Sequence, residues 1–230
     1  MRTIEELVEA IHQEALRASF PIDTPVYELA KRDPTIPILF AGSLDASVCI
    51  LARDLGKDEV AAAQPLIGAG GRLVRSGLYL ASRGQPPPPG DRRLESVLPL
   101  ALLTNTVPYK PPGNKAYAPA VKARFRPFLA ELLASHWRGG NQVLTLGTEA
   151  FQWFTPYSAN ADAFAEFWKR DDRYESQIDC EIVIQTNEVS VRKPLSILPL
   201  PHPSPLNQRW YKHFPALLAN RLAQLSLRPV

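Results

Sequence analysis

Two stretches of sequence decide the fold: LARDLG at residues 51–56 and PLPHPSPLN at residues 199–207. Each continues an apolar run that predicts a buried strand, and each then breaks into residues typical of turns. In an open parallel sheet, ligands bind in the crevice outside the carboxyl ends of the strands. We therefore expect Asp54 and His202 to face one ligand from two directions.

The rest of the chain alternates predicted strands with predicted helices. Apolar runs predict strands at about residues 47–53, 98–106, 142–146 and 195–200, with a hairpin at 179–191. Helical periodicity predicts helices that begin near residues 3, 68, 120 and 210. The alternation predicts an α/β fold, a three-layer α/β/α sandwich with a central, mainly parallel four-stranded sheet.

Length and composition favour a single domain. A chain of 230 residues with 45% hydrophobic residues can bury one substantial core. We expect an N-terminal helix and extended segment over residues 1–37 and a core over 38–227. The chain begins with Glu5, Glu6 and Glu9 where a secretory signal is basic and apolar, and no apolar run approaches the length of a membrane span. A cytoplasmic monomer with no membrane partner is therefore expected.

Basic residues follow two of the predicted strands. The net charge of +3 permits a basic face that binds phosphates, although scattered solvated charges give the same balance. Position favours the first interpretation, because basic residues gather after the strands at 98–106 and 195–200: Lys110, Lys115, Lys122, Arg124, Arg126, Arg209 and Lys212.

Three polar residues at strand ends are candidate site residues, and each has a structural alternative. An aspartate at position 54, shortly before Gly56, can cap a helix. A lone histidine such as His202 is usually structural or solvated. Asn105 ends the strand at 98–106 and is of a residue type common in turns.

Four motifs carry a resemblance to a known family. They are HPSPLN at residues 202–207, LLTNTVPYKPPGN at 102–114, QPLIGAGGRLV at 64–74 and ARDLG at 52–56. Together they resemble the uracil-DNA glycosylase superfamily across roughly residues 37–225, and the second and third are most similar to its iron-sulfur (family 4-like) branch. ARDLG is a divergent form of the first catalytic motif, with Asp54 where that branch has alanine and the principal family has aspartate.

The resemblance implies a DNA repair glycosylase that flips uracil out of single- or double-stranded DNA and hydrolyses its bond to the sugar, at the bacterial nucleoid. Asp54 and His202 are implied as catalytic residues, one stabilising the cationic sugar and activating water, the other donating to the uracil carbonyl. The implied base-binding residues are Asn105, Leu66, Gly56 and Arg53. The implied DNA-binding residues are Ser204, Pro205, Leu206, Asn207, Arg209, Lys110 and Lys115, with Leu206 as the wedge that fills the gap in the duplex.

The sequence departs from the iron-sulfur branch at positions that affect cofactor binding and the choice of base. Tyr109 and Phe125 stand where the branch has cluster cysteines, so we expect aromatic packing there and no metal or other cofactor. The only cysteines, Cys49 and Cys180, are too few for a four-cysteine site. Leu66 replaces a stacking phenylalanine, and Gly56 replaces the principal family's methyl-excluding tyrosine, which leaves the exclusion of thymine open.

Two other functions remain open from the sequence. The irregular first motif and the missing stacking ring are compatible with a module that binds uracil or abasic DNA without turnover. The modest charge is compatible with a nucleoside hydrolase-like enzyme of small molecules on a related scaffold. Retention of DNA with its base intact indicates the first, and activity on free deoxyuridine but not on DNA indicates the second.

Overall fold

The computed structural model describes residues 2–113, 115–185, 190–205 and 207–225. Its sheet has six strands in the spatial order β1-β3-β2-β4-β6-β5. The strands are β1 Phe40–Gly42, β2 Val48–Ala52, β3 Ala101–Asn105, β4 Gln142–Leu146, β5 Ile178–Gln185 and β6 Ser190–Leu200.

The four central strands of the sheet are parallel, and the two edge strands are antiparallel to their neighbours. All five residues of β2 and of β3 are buried. Such continuous apolar strands are expected where helices cover both faces of a parallel sheet. The predicted α/β class and mainly parallel sheet are confirmed. The predicted count of four strands describes the parallel centre, and the edge strands β1 and β5 raise the total to six.

Helices cover both faces of the sheet and complete the three layers. On β2, Cys49 and Leu51 belong to one apolar cluster, while Val48, Ile50 and Ala52 belong to another. The first cluster packs under α1 and α5 to α7, the second under α4 and α9. The helices are α1 Ile4–Arg17, α2 Thr24–Leu29, α3 Lys57–Ala62, α4 Ala69–Arg83, α5 Pro119–Glu131, α6 Thr148–Gln152, α7 Ala161–Lys169, α8 Gln208–Tyr211 and α9 Phe214–Gln224.

Several element boundaries differ from those predicted. The predicted extended segment contains α2, and the predicted strand at 195–200 is the end of a longer strand that begins at Ser190. The predicted C-terminal helix is two helices, because Pro215 lacks the N–H that a continuous helix would need in its interior. The predicted domain limit at residue 227 lies outside the described residues. Within them, no helix is both long and apolar enough to span a bilayer.

An aromatic cluster joins the N-terminal segment to the core. The ring centroids of Tyr109 and Phe125 are 5.3 Å apart, which confirms the predicted packing between them. Phe20 lies 5.2 Å from the first ring and 5.0 Å from the second. The Tyr109 hydroxyl donates to the Thr35 carbonyl at 2.9 Å. Because phenyl and phenol rings carry no thiolate, these two positions do not fit an iron-sulfur cluster.

Candidate active site

The carboxyl ends of the four parallel strands lie side by side at one end of the sheet. In the register, Ala52 of β2 pairs with Asn105 of β3, and Leu146 of β4 pairs with Leu200 of β6. Asp54 follows β2 by two residues and His202 follows β6 by two residues. Because strands lie about 4.8 Å apart, β2 and β6 are separated by about 10 Å. The predicted site residues therefore lie along the carboxyl ends of these strands, in the order Asn105, Asp54, His202.

Asp54 is a buried carboxylate beside a cation. Only 3% of its side chain is exposed, and Arg53 Nε lies 2.7 Å from its Oδ2. Burial raises the pKa of Asp54 to about 6, although Arg53 acts in the opposite direction. Oδ1 accepts no hydrogen bond from the residues that the structure describes. At neutral pH this group is a carboxylate with one oxygen available to a ligand.

The capping alternative for Asp54 is wrong, because the cap of α3 is Gly56. The side chain of Glu59 turns back and accepts the Gly56 N–H at 3.0 Å. Glu59 also accepts the N–H groups of Ile67 and Gly68, at 3.0 and 2.7 Å. One buried carboxylate therefore joins the loop after Asp54 to the loop that carries Leu66.

Asn105 presents an unpaired amide oxygen. Its side chain is buried, and Oδ1 accepts no hydrogen bond from any described residue. The following residue, Thr106, fixes the backbone, since its N–H donates to the Ala52 carbonyl and its hydroxyl to the Arg53 carbonyl at 2.6 Å. Asn105 thus ends a strand rather than forming a turn, and its amide remains able to both donate and accept.

His202 is half-buried and packs against the backbone of Gly147, the residue that follows β4. A Cβ placed on Gly147 would lie 2.9 Å from His202 Cβ, and the glycine has φ +87°. The His202 carbonyl accepts the Ser204 N–H at 2.9 Å and Asn207 Nδ2 at 3.1 Å. Burial, with a further contribution from Arg53, lowers the pKa of His202 to about 4. The imidazole is therefore neutral at physiological pH and donates through an N–H.

Leu66 lies in a loop that buried polar groups hold in place. Leu66 is buried and has φ +54°, a conformation that is strained for a residue with a side chain. Arg75 of α4 is fully buried and donates to the carbonyls of Leu66 at 2.8 Å and Pro65 at 3.1 Å. Sequence reasoning missed Arg75 and Glu59, although Glu59 stands three residues after Gly56, the spacing of a capping box.

The glycines at residues 68–71 pack the start of α4 against two site loops. A Cβ on Gly71 would lie 2.0 Å from the Leu66 carbonyl carbon, and one on Gly70 would lie 2.7 Å from the Pro203 carbonyl oxygen. The prediction of a helix that begins near residue 68 is confirmed, since α4 begins at Ala69. The packing also joins the Leu66 loop to the loop of His202.

Three further residues lie near Asp54 and were not predicted as site residues. Tyr117 is buried, its hydroxyl has no hydrogen-bond partner among the described residues, and its electrostatic interaction with Asp54 adds to the rise in the phenol pKa caused by burial. Lys122 forms an ion pair with Glu149, and both interact electrostatically with Asp54. The sequence feature that could have indicated Tyr117 is the presence of an aromatic residue in the loop after β3.

The structure separates the predicted DNA-binding residues. Lys115, Pro205 and Arg209 are exposed, Ser204 and Asn207 are half-buried, and Leu206 lies outside the described residues. The structure corrects the prediction that Lys110 binds DNA. It is 2% exposed, its Nζ lies 2.6 Å from Asp23 Oδ2, and it also donates to the Pro111 carbonyl. A phosphate contact would require breaking this buried ion pair.

A comparison with family models agrees with this geometry. The model described as the uracil DNA glycosylase superfamily matches residues 40–226, which include all four central strands and both candidate catalytic loops. A search of curated proteins finds no match to the chain. The chain belongs to the uracil DNA glycosylase superfamily, whose members are glycosylases that act on DNA.

Proposed function

We propose that the protein removes uracil from DNA as a monofunctional glycosylase that requires no cofactor and leaves an abasic site. Two buried oxygens at adjacent strand ends, Asp54 Oδ1 and Asn105 Oδ1, accept no hydrogen bond from the described residues, and the neutral imidazole of His202 follows β6, two strands from β2. This observation carries the proposal. These groups match the two charges that develop when a sugar–base bond breaks.

The roles follow from the protonation states. The Asp54 carboxylate stabilises positive charge on the sugar and orients or deprotonates the attacking water. Neutral His202 donates an N–H hydrogen bond to the uracil carbonyl oxygen as negative charge grows there, without transferring its proton. The Asn105 amide pairs with the adjacent carbonyl and ring N–H of uracil, a pattern that cytosine reverses.

Binding of the base requires its extrusion from the helical stack into this crevice, at a cost of a few kcal/mol. Leu66 supplies an aliphatic surface for the extruded base, and the Glu59 and Arg75 contacts keep its loop fixed. Exposed Arg209 and Lys115 supply positive charge for the flanking phosphates.

The direct test is incubation with an oligonucleotide that contains one uracil, followed by alkali. Strand scission at the uracil position is expected, with free uracil released in equal amount. Asn105→Asp reverses part of the hydrogen-bond pattern and should lower the preference for uracil over cytosine, whereas Asn141→Asp, outside the site, serves as control. Folded protein that releases no base at high concentration contradicts the proposal. Tight retention of intact DNA by such protein indicates a binding module, and cleavage of free deoxyuridine alone indicates a nucleoside hydrolase.

A further inference from the structure

A short aromatic and basic turn follows the loop of His202. We call residues 207–213 the Trp210 turn; it contains α8. Asn207 ties the turn to the loop, because its side chain donates to the His202 carbonyl and its backbone N–H donates to the Ser204 carbonyl at 2.8 Å. The backbone N–H of Trp210 in turn donates to the Asn207 carbonyl at 3.1 Å. The backbone of Trp210 is therefore tied to the loop of His202.

Trp210 is half-buried, and two aromatic rings lie steeply inclined to its indole. Tyr174, which is buried, meets it at 4.9 Å between centroids with an interplanar angle of 80°. His213 meets it at 6.2 Å and 70°. The Arg209 guanidinium lies over the ring, 5.2 Å from its centroid. Because Arg209 is exposed, the indole face that it covers becomes accessible when that side chain moves to another partner.

The turn carries positive charge without carboxylates of its own. Arg209 and Lys212 are exposed, and neither forms an ion pair with a described residue. The sequence from residue 189 to residue 230 contains no aspartate or glutamate. The segment that carries Tyr174 does bring carboxylates, of which Asp172 is paired with Arg170 while Asp171 and Glu175 are exposed.

We propose that the Trp210 turn binds an unpaired nucleotide of the DNA strand that flanks the target uracil. The base stacks on the Trp210 face, and Arg209 and Lys212 bind the neighbouring phosphates. An indole face beside exposed cations is the combination that binds single strands without regard to sequence. The inference rests on the proposed function, since it places this nucleotide beside a substrate held by Asp54 and His202.

A consequence for substrate choice follows from the energy of stacking. In a duplex, the flanking base is already stacked and paired, so it gains little from an indole and must first be displaced. In a single strand, the same base is available. The Trp210 turn therefore favours uracil in single-stranded DNA over the same uracil in a duplex.

The test combines variants of the protein with modified substrates. The single-stranded substrate is a 15-nucleotide strand with one central uracil, and its counterpart has base-free nucleotides on both sides of the uracil. Trp210→Ala should lower kcat/KM on the complete strand by about 5-fold or more. Removal of the flanking bases should lower the wild-type value by a similar factor. The two changes should not add, because each removes the same stacking contact.

Controls separate this contact from a general loss of structure. Trp210→Phe retains a ring and should recover most of the activity. Trp153→Phe, at a ring that packs on Phe154 and Tyr157, should have no effect on strand preference. Arg209→Gln should reduce the salt dependence of binding to a 15-nucleotide thymidine strand by about one ion, unlike Arg83→Gln at the far end of α4. Because the chain has four tryptophans, binding of the same strand should quench the fluorescence of the wild-type protein more than that of Trp210→Ala.

The outcomes distinguish this inference from the proposed function. Additive losses from Trp210→Ala and from base removal, or an equal loss on single and double strands, overturn the inference while uracil release by the wild-type protein still stands. Trp210-dependent binding of the thymidine strand without uracil release supports the Trp210 turn as a DNA contact and contradicts the proposed function.

Discussion

Arg53 Nε lies 2.7 Å from Asp54 Oδ2, so the candidate catalytic carboxylate and the cation that opposes its protonation are consecutive residues. Burial raises the pKa of Asp54 to about 6 against this cation. Since the proposed reaction needs the carboxylate, kcat/KM should rise with pH through about 6 and then level off. His202, with a pKa near 4, should add no further limb between pH 5 and 9.

Arg53→Gln should move this limb to higher pH, because burial then acts on Asp54 without an adjacent positive charge. The measurement is the pH profile of kcat/KM for both proteins on a short uracil-containing strand. Arg138→Gln removes an exposed arginine that pairs with Asp45 and should leave the limb in place. A limb that does not move in Arg53→Gln contradicts the assignment of this ionisation to Asp54.

Asp54→Asn should lower kcat by about 10²- to 10⁴-fold and leave DNA affinity nearly unchanged, because an amide neither carries the charge nor takes the proton. Asp45→Asn, at an exposed position, is the matched control. Rates come from single-turnover uracil release and affinities from retention of the same strand. A comparable loss of affinity in Asp54→Asn would assign the residue to binding rather than to chemistry.

The same substitution has an expected effect on stability. The folded pKa of Asp54 is raised above its unfolded value, so its contribution to stability is complete below about pH 3.8 and is lost as pH rises through about 6. Asp54→Asn should therefore increase the free energy of unfolding at pH 8 by up to about 3 kcal/mol, a figure that already includes the opposing effect of Arg53 on the pKa. The gain should shrink toward pH 4, as measured by urea unfolding.

Gly147→Ala should damage the site more than the fold. Its φ of +87° is strained for alanine, and the new methyl group would lie 2.9 Å from His202 Cβ. Gly84 is a matched control, because it has φ +67° and open space around the position of a Cβ. Both substitutions should lower stability by about 1 kcal/mol from backbone strain.

Only Gly147→Ala should also lower kcat/KM. Displacement of the His202 imidazole, an aligned hydrogen-bond donor, is expected to lower it by about 10²-fold. Thermal unfolding and uracil release on the same samples check the two effects separately. Equal activity of the two alanine variants would show that His202 does not need its present position.

The parallel centre of the sheet was predictable because β2, β3, β4 and the end of β6 that pairs with β4 are almost entirely buried, and so they read as continuous apolar runs. β1 was not, since its three residues are too few to show a period and its pairing with β3 spans some 60 residues of sequence. The strand-end positions of Asp54, Asn105 and His202 followed directly from the same runs.

Buried charges were the part of the site that sequence reasoning did not reach. Lys110 was predicted to face DNA, yet it pairs with Asp23, and nothing local in the sequence marks that partner. Arg75 and Glu59 bind backbone groups of distant loops, and a backbone carbonyl or N–H has no residue identity that a motif could reveal. Long-range contacts of this kind depend on the folded chain.

Arg75→Met should loosen the Leu66 loop. The guanidinium donates to the carbonyls of Pro65, Leu66 and Arg93, which lie on two segments of the chain. A methionine of similar length leaves these acceptors without a donor, so the free energy of unfolding should fall by about 3 kcal/mol. KM for uracil-containing DNA should rise more than kcat falls, because in the proposed function Leu66 contacts the base, while Asp54 and His202 stay in place.

Arg72→Met is the matched control. Arg72 lies one turn earlier on α4 and is exposed, and its one ion-pair partner in the described part of the chain is Asp58, at 3.9 Å. It should change neither stability nor KM. Arg75→Lys keeps the charge but not the fork of donors, so its KM should lie between the wild-type and methionine values. If Arg75→Met loses stability while KM and kcat both stay at wild-type values, Arg75 supports the fold alone and the Leu66 loop does not bind the base.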